Sequence, residues 1–319
     1  MCKFSIIVPC YNISNHVDHL FKMLCSSDYM DYEVIFVDDC SKDDSYEKMC
    51  ELKVNYPNYS VYRLSQNGGP GLARNLGLEK AEGKYILFCD SDDEMDILCL
   101  RSLDEFLKGK SDADIIASPH KVKRGGSESV VDTYSKVHDG DALNREDLVI
   151  GFVGPWAKLY RADVIKKNKL AFPSRMTGED FCFVVHCAVH ALKIYKFDFP
   201  YYTYVTNDSS ITHTYRGTAD VPTTFEILAS VYEEHFPQIA VRMFVETHLM
   251  TKAKQMTDLK CKNREIKAWF QKETKRYPDW YEKTKDMDNS LYRRLLYRAM
   301  HACSPIQIKL VMLIRRMLY

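Results

Sequence analysis

A run of apolar residues, Tyr85-Ile86-Leu87-Phe88-Cys89, ends in Asp90-Ser91-Asp92-Asp93. Oxygen-only ligands with Asp-x-Asp spacing at the carboxyl end of a strand suit manganese or magnesium, which would neutralise a diphosphate brought in by a substrate. A solvated turn has the same composition, so the cluster gains meaning only from its neighbours. A calcium EF-hand does not fit: counted from Asp90, Met95 and Arg101 hold the sixth and twelfth positions, where that loop needs glycine and glutamate. A second acid pair, Asp38-Asp39, closes another apolar run. A carboxylate there can accept a hydrogen bond from the imide N–H of a uracil ring, or, with Ser41, cap a helix beginning near Asp43. Arg74 lies one turn into a helix announced by Gly68, Gly69 and Pro70, so the helix dipole and the guanidinium would both favour an anionic ligand. This is not a dinucleotide fingerprint, because Gly69-x-Gly71 follows the third strand rather than the first and Arg74 stands where a third glycine belongs. Glu179 and Asp180 open a helical pattern that runs to Ala191, where the dipole stabilises carboxylates. On the same pattern His186 and His190 have the spacing of a zinc pair, but no glutamate follows His186 and the face is otherwise apolar. They read as core histidines.

These groups need a scaffold that brings strand ends together. Short apolar runs at 4–8, 33–37, 61–64, 85–89 and 114–117 alternate with helical patterns at 14–26, 43–54, 70–80 and 95–108. That alternation predicts an α/β fold with a doubly wound, mostly parallel sheet. Residues 121–134 are polar around Gly125-Gly126 and read as a hairpin or mobile loop over the sheet. After Thr206 helical periodicity takes over, so we expect a catalytic domain over 1–215 and a helical extension over 216–319.

Four segments in one order, Ser5-Ile6-Ile7-Val8-Pro9-Cys10-Tyr11-Asn12, Val37-Asp38-Asp39-Cys40-Ser41-Lys42-Asp43, Asn67 through Asn75 and the Asp90 cluster, resemble the inverting family 2 glycosyltransferases. The resemblance covers residues 4–213, and Gly178-Glu179-Asp180 strengthens it. It implies a GT-A fold that binds a nucleotide-diphosphate sugar above the carboxyl ends of these strands. It assigns Pro9, Tyr11 and Asn12 to a loop touching the nucleotide, Asp39 to the uracil, and Arg74 to holding the nucleotide. A plain strand exit is the alternative for the first of these. The Asp90 cluster becomes the metal motif, with Asp92 a direct ligand and Asp90 on the ribose or a metal-bound water. His213 matches a position at which some members place a histidine on the metal; imidazole suits manganese better than magnesium, and a solvent-facing loop histidine is the alternative. Glycosyl transfer needs a base that deprotonates the acceptor hydroxyl, and Asp180 is the candidate, with helix capping as its alternative. Glu179 would orient the acceptor or the loop. A single carboxylate in line with the departing diphosphate would give inversion. Trp156 could stack on an acceptor sugar or be core.

The 44 basic and 44 acidic residues of the 319 balance, which gives no support for a nucleic-acid binder. Eleven cysteines are scattered without a C-x-x-C pair and read as reduced, buried hydrophobes of a cytosolic protein. The amino end enters a strand directly and shows no signal peptide, and no apolar run approaches a membrane span. From Ser290 onward there are six basic residues (Arg293, Arg294, Arg298, Lys309, Arg315 and Arg316) and no acidic one, set among Leu, Ile, Met and Tyr. Two readings stay open for these helices: peripheral contact with an anionic membrane, or packing against the catalytic domain or a partner chain, including a homodimer.

The sequence therefore predicts a metal-dependent (Mn2+ or Mg2+), inverting glycosyltransferase. It would carry a hexose or N-acetylhexosamine from UDP to a saccharide or lipid-linked saccharide, in the cytoplasm or at the inner face of the cell membrane. The alternative from another class is a catalytically silent sugar-nucleotide-binding or scaffold subunit. A nucleotidyltransferase would need a glycine-rich basic loop after the first strand, where Pro9-Cys10-Tyr11-Asn12 stands instead.

Overall fold

The structure is a computed structural model that describes residues 2–24, 27–54, 58–150, 154–174, 178–206, 224–258, 260–286 and 291–318. It divides into two compact units, Met1–Thr214 and Tyr215–Tyr319.

The first unit holds strands β1 (Phe4–Cys10), β2 (Tyr32–Asp38), β3 (Tyr59–Arg63), β4 (Tyr85–Phe88), β5 (Glu94–Met95), β6 (Ile115–Ala117), β7 (His120–Arg124), β8 (Ser127–Val131), β9 (Lys158–Arg161), β10 (Ile194–Lys196) and β11 (Tyr202–Val205). Its helices are α1 (Val17–Leu24), α2 (Ser45–Lys53), α3 (Pro70–Lys80), α4 (Cys99–Gly109), α5 (Arg145–Ile150), α6 (Ala162–Lys167) and α7 (Glu179–His190). Seven strands form one sheet in the order β10-β6-β9-β4-β1-β2-β3. All pair in parallel except β9, which runs antiparallel to both β4 and β6. Strands β5, β11, β7 and β8 make a second, smaller sheet.

The central strands are apolar throughout because helices cover both faces. Phe4, Ile6 and Val8 of β1 share a core cluster with Val17, Leu20, Phe21 and Leu24 of α1 and with Leu100, Leu103 and Leu107 of α4. Those α1 positions recur at helical spacing, so one stripe of the helix meets the sheet. On the opposite face Phe88 of β4 meets Phe183 of α7 edge-on, with ring centroids 5.6 Å apart. The chain goes from β1 outward through β2 and β3, then returns to place β4 on the other side of β1. The carboxyl ends of β1 and β4 therefore flank the switch point at which open parallel sheets bind ligands.

Several expectations are corrected. The helix expected over 95–108 begins only at Cys99, since Glu94 and Met95 pair with Thr203 and Tyr202 of β11. Residues 121–134 do contain a hairpin, β7–β8, but it extends the second sheet beside β11.

The second unit is helical: α8 (Thr224–His235), α9 (Pro237–Met243), a π-helical turn (Phe244–Leu249), α10 (Met250–Asp258), α11 (Asn263–Glu273), α12 (Trp280–Thr284), α13 (Leu291–His301) and α14 (Pro305–Leu318). In α14, Ile308, Val311 and Met312 are buried while Ile306 and Leu310 are exposed. Among the described residues no helix is long and apolar enough to cross a membrane.

Candidate active site

The β1 and β2 ends are tied together by the protein itself. Pro9 is buried within β1, opposite Val37, and the exposed Tyr11 follows the strand. Asn12 adopts φ 53°; its amide donates to Ser41 Oγ (2.9 Å) and its side-chain oxygen accepts from the Lys42 amide (2.9 Å). Asp38, fully buried, accepts from the Ser41 amide (3.0 Å) and pairs with Arg63 Nε (3.1 Å). Asp39 accepts from the amides of Gly68 (2.7 Å) and Gly69 (2.8 Å) and from Asn67 Nδ2 (2.9 Å). Gly69 presents its amide from φ +84°, a conformation a side chain would strain. Burial pushes the Asp39 carboxyl up, and the two glycine amides oppose the shift. Helix capping by Asp39 and Ser41 is thereby corrected: near the start of α2 the Ser45 amide donates to Asp43 (3.1 Å).

Arg74 joins the two halves of the rim. It is 2% exposed, and its guanidinium donates from Nη1 to Asp180 Oδ1 (2.5 Å) and from Nη2 to Asp90 Oδ1 (2.6 Å). The approach depends on Gly71, where an added Cβ would lie 3.1 Å from Glu179 Cγ and 3.3 Å from Phe172 Cβ. The absence of a side chain there lets the first turns of α3 and α7 lie against each other. The guanidinium, expected to face an anionic ligand, faces two carboxylates of its own chain, beside the Phe172 ring at 5.2 Å.

The Asp90 cluster splits by role. Asp93 is buried, accepting from the Tyr202 hydroxyl (2.5 Å) and the Val205 amide (2.8 Å). Burial, and next the charge of Asp90, push its carboxyl up to about 8. The same hydroxyl accepts from the Asp90 amide (3.2 Å), so Tyr202 braces the whole turn. Asp92 is exposed at the rim, and Asp90 keeps its second carboxylate oxygen outside the Arg74 pair. Among the described residues no three His, Cys, Asp or Glu side chains converge as a complete metal cage.

Glu179 and Asp180 occupy the first turn of α7 behind Gly178. Burial raises both carboxyls. Asp180 reaches about 7: Arg74 opposes the shift, Asp90 and Glu179 reinforce it, and Lys158 opposes it.

Trp156 is corrected from an acceptor platform to core. It is 3% exposed, stacked on Tyr202 at 4.4 Å and on Tyr204 at 5.7 Å, with His120 edge-on at 5.0 Å. The other candidate, His213, lies outside the described residues. The reading of His186 and His190 as core histidines is corrected: His186 is half-buried on α7, where burial lowers its pKa, and His190 is exposed. Sequence reasoning missed Tyr202 and Lys158. The alternation in Tyr202-Thr203-Tyr204-Val205 is a strand signal that would have found the first. A lysine opening the apolar run Leu159-Tyr160 was the clue to the second.

Comparison with known proteins places this geometry. Residues 5–168, just over half of the chain, match the model of Glycosyl transferase family 2. The chain is 32% identical over 211 residues to the poly(ribitol-phosphate) beta-N-acetylglucosaminyltransferase TarS of Staphylococcus aureus, covering 65% of this chain and 36% of that protein. It is 34% identical over 213 residues to a poly(ribitol-phosphate) beta-glucosyltransferase of Bacillus spizizenii, covering 65% and 33%. The match thus spans about a third of the length of these relatives. The crystal structure of S. aureus TarS 1-349 in complex with UDP-GlcNAc superposes with a TM-score of 0.72 at 25% identity, covering 99% of this chain and 92% of that one. The large mostly parallel sheet is accordingly that of a GT-A fold. With its motifs, sheet order and matched domain in agreement, the chain belongs to glycosyl transferase family 2.

Proposed function

We propose that this chain is an inverting glycosyltransferase that moves a sugar from a nucleoside-diphosphate donor, of the UDP class, to a hydroxyl of a saccharide-containing acceptor. The observation that carries the reading is Asp180: a carboxyl at the amino end of α7, raised to about 7 and linked through Arg74 to Asp90 beside the switch point of the sheet. A general base works best with a pKa near the working pH, because it is then unprotonated yet still basic. The acceptor oxygen bonds to the anomeric carbon as the bond from that carbon to the diphosphate oxygen breaks. The acceptor proton passes to Asp180, and the electron pair of the broken bond leaves with the diphosphate. Attack opposite the leaving group inverts the anomeric centre.

On the donor side, three protein donors occupy three of the roughly four acceptor positions of Asp39, which leaves one for a uracil imide. Pro9, Tyr11 and Asn12 stand at the adjoining end of β1, with Asn12 tied to Ser41 and Lys42 after Asp39, and would touch the nucleotide. Asp90 and Asp92 suit magnesium or manganese, which commonly take one or two carboxylates and complete their shell with water and substrate phosphates. Asp92 would hold such a cation directly and Asp90 would contact it or the ribose, with His213 a further candidate ligand. When bound, the cation neutralises charge on the departing diphosphate. Glu179 would orient the acceptor. Relatives named for poly(ribitol-phosphate) transfer support a cell-surface polymer as the acceptor class. The exposed Ile306 and Leu310, beside a basic carboxyl-terminal stretch, support peripheral contact with an anionic membrane from the cytoplasmic side.

The test is hydrolysis of a panel of nucleotide sugars, with manganese added or chelated, for the wild type, Asp92→Ala and Asp180→Asn. Metal-dependent release of UDP from one donor, lost in both variants, is expected. UDP binding without turnover of any donor, even with poly(ribitol-phosphate) supplied, would favour the silent binding subunit instead.

A further inference from the structure

One buried cation near the site is not used by the reaction as described. Lys158 opens β9 and is 2% exposed, with Nζ donating to the Gly154 carbonyl at 2.8 Å. Side chains two apart on a strand share a face. Tyr160, two residues on, packs against Phe183 of α7 at 5.5 Å, so Lys158 projects toward α7 as well. Phe183 lies three residues after Asp180 and thus on the same side of that helix. Because β9 is antiparallel to β4, its first residue lies at the carboxyl end of β4, next to the Asp90 turn. Lys158 therefore sits beneath the amino end of α7.

We propose that Lys158 is a positioning residue for the transfer reaction, a second buried cation that, with Arg74, favours the carboxylate form of Asp180 at the amino end of α7. The inference rests on reading Asp180 as the base. The charges explain the need. Asp90 and Asp180 share one guanidinium, and Glu179 adds a third negative charge beside Asp180, so a single fixed positive charge faces three acids. When protonated, Lys158 supplies a second positive charge beneath α7.

The groups facing this pair are Arg74 from α3, Asp90 after β4, Glu179 and Cys182 on α7, and Tyr160 on β9, with His120 of β7 facing Lys158. Burial lowers the lysine to about 7, and Asp180 opposes that shift. Loss of the lysine charge should raise the Asp180 carboxyl, so that the base form appears at higher pH.

The experiment is a titration of the Asp180 carboxyl carbon in the full chain labelled with 13C at aspartate carboxyls, the resonance being assigned by its loss in Asp180→Asn. Wild type, Lys158→Met and Lys158→Gln are compared, each checked for folding by thermal melting. The expected result is a raised midpoint in both lysine variants, by less than about one pH unit because the pair is not in direct contact. The acid limb of kcat/KM should move equally. Lys158→Gln keeps a donor for the Gly154 carbonyl while removing the charge, and it carries the test alone if Lys158→Met does not fold. An unmoved midpoint in Lys158→Gln would overturn the proposal. The carboxyl titration reads the pairing whether or not Asp180 is the base. That underlying reading fails separately if Asp180→Asn retains turnover.

Discussion

Two acidic turns stand at the same rim of one sheet, and the protein treats them in opposite ways. After β2, Asp38 and Asp39 are answered by Ser41, Arg63, Asn67, Gly68 and Gly69, largely through backbone amides held in place by the fold. After β4 and at the start of α7, Asp90 and Asp180 are left to share Arg74, and burial raises the carboxyls of Asp180 and its neighbour Glu179. Acids satisfied by the backbone are framework that shapes a pocket. Acids short of positive charge are poised to take a proton or a cation, and perturbed groups of this kind mark reaction centres. Removing an acid from the first turn should therefore weaken the fold, whereas removing one from the second should weaken the chemistry.

The sharpest way to break this contrast is Asp180→Asn. Turnover is expected to fall by about 10^2–10^4-fold, the usual contribution of a general base, with UDP affinity and the urea midpoint little changed. Unfolding of this variant would make Asp180 framework and erase the distinction. In wild type the base form of Asp180 appears as pH rises through about 7, so kcat/KM should climb across that value and the limb should vanish in the variant.

Arg74→Met tests the shared guanidinium. Taking one partner from a buried ion pair strands the others, and a loss of about 3 kcal/mol in urea unfolding at neutral pH is expected. Lowering the pH toward 5 should recover part of it, because protonating Asp180 removes the stranded charge.

Asp39→Asn probes the first turn. Its amide NH2 would oppose a backbone N–H that now has an acceptor, and one unsatisfied buried donor costs about 1–3 kcal/mol. A stability loss of that size would support the framework role, and weaker UDP binding by calorimetry the uracil contact; an unchanged midpoint would count against the first.

The smallest effect is expected at Trp156→Phe, on the order of 1 kcal/mol in stability from lost stacking beneath the Asp90 turn. The acceptor KM should not move. A large rise in that KM with stability preserved would return Trp156 to the acceptor surface.

Strands β1, β2, β4 and β6 were legible because each is an apolar run buried on both faces, a pattern that depends on no distant partner. The short strands β9, β10 and β11 were not. β9 opens with a lysine and follows Ala157 at φ 53°, and no local rule says that such a segment inserts antiparallel into a parallel sheet. The four-segment order and the acids at the strand ends were likewise visible, since strand-end chemistry follows the chain directly.

Residue types and order thus established the family and the set of acids at the rim. Which acid is neutralised by which group was settled by packing alone. Arg74 and Asp180 are 106 residues apart and meet because Gly71 lets α3 approach α7. The same distinction separates Trp156, an aromatic that sequence allows in a cleft or a core, from the buried ring found against Tyr202. Long-range contacts of this kind depend on how helices seat on a twisted sheet, and a linear pattern records which face is apolar but not what will lie against it.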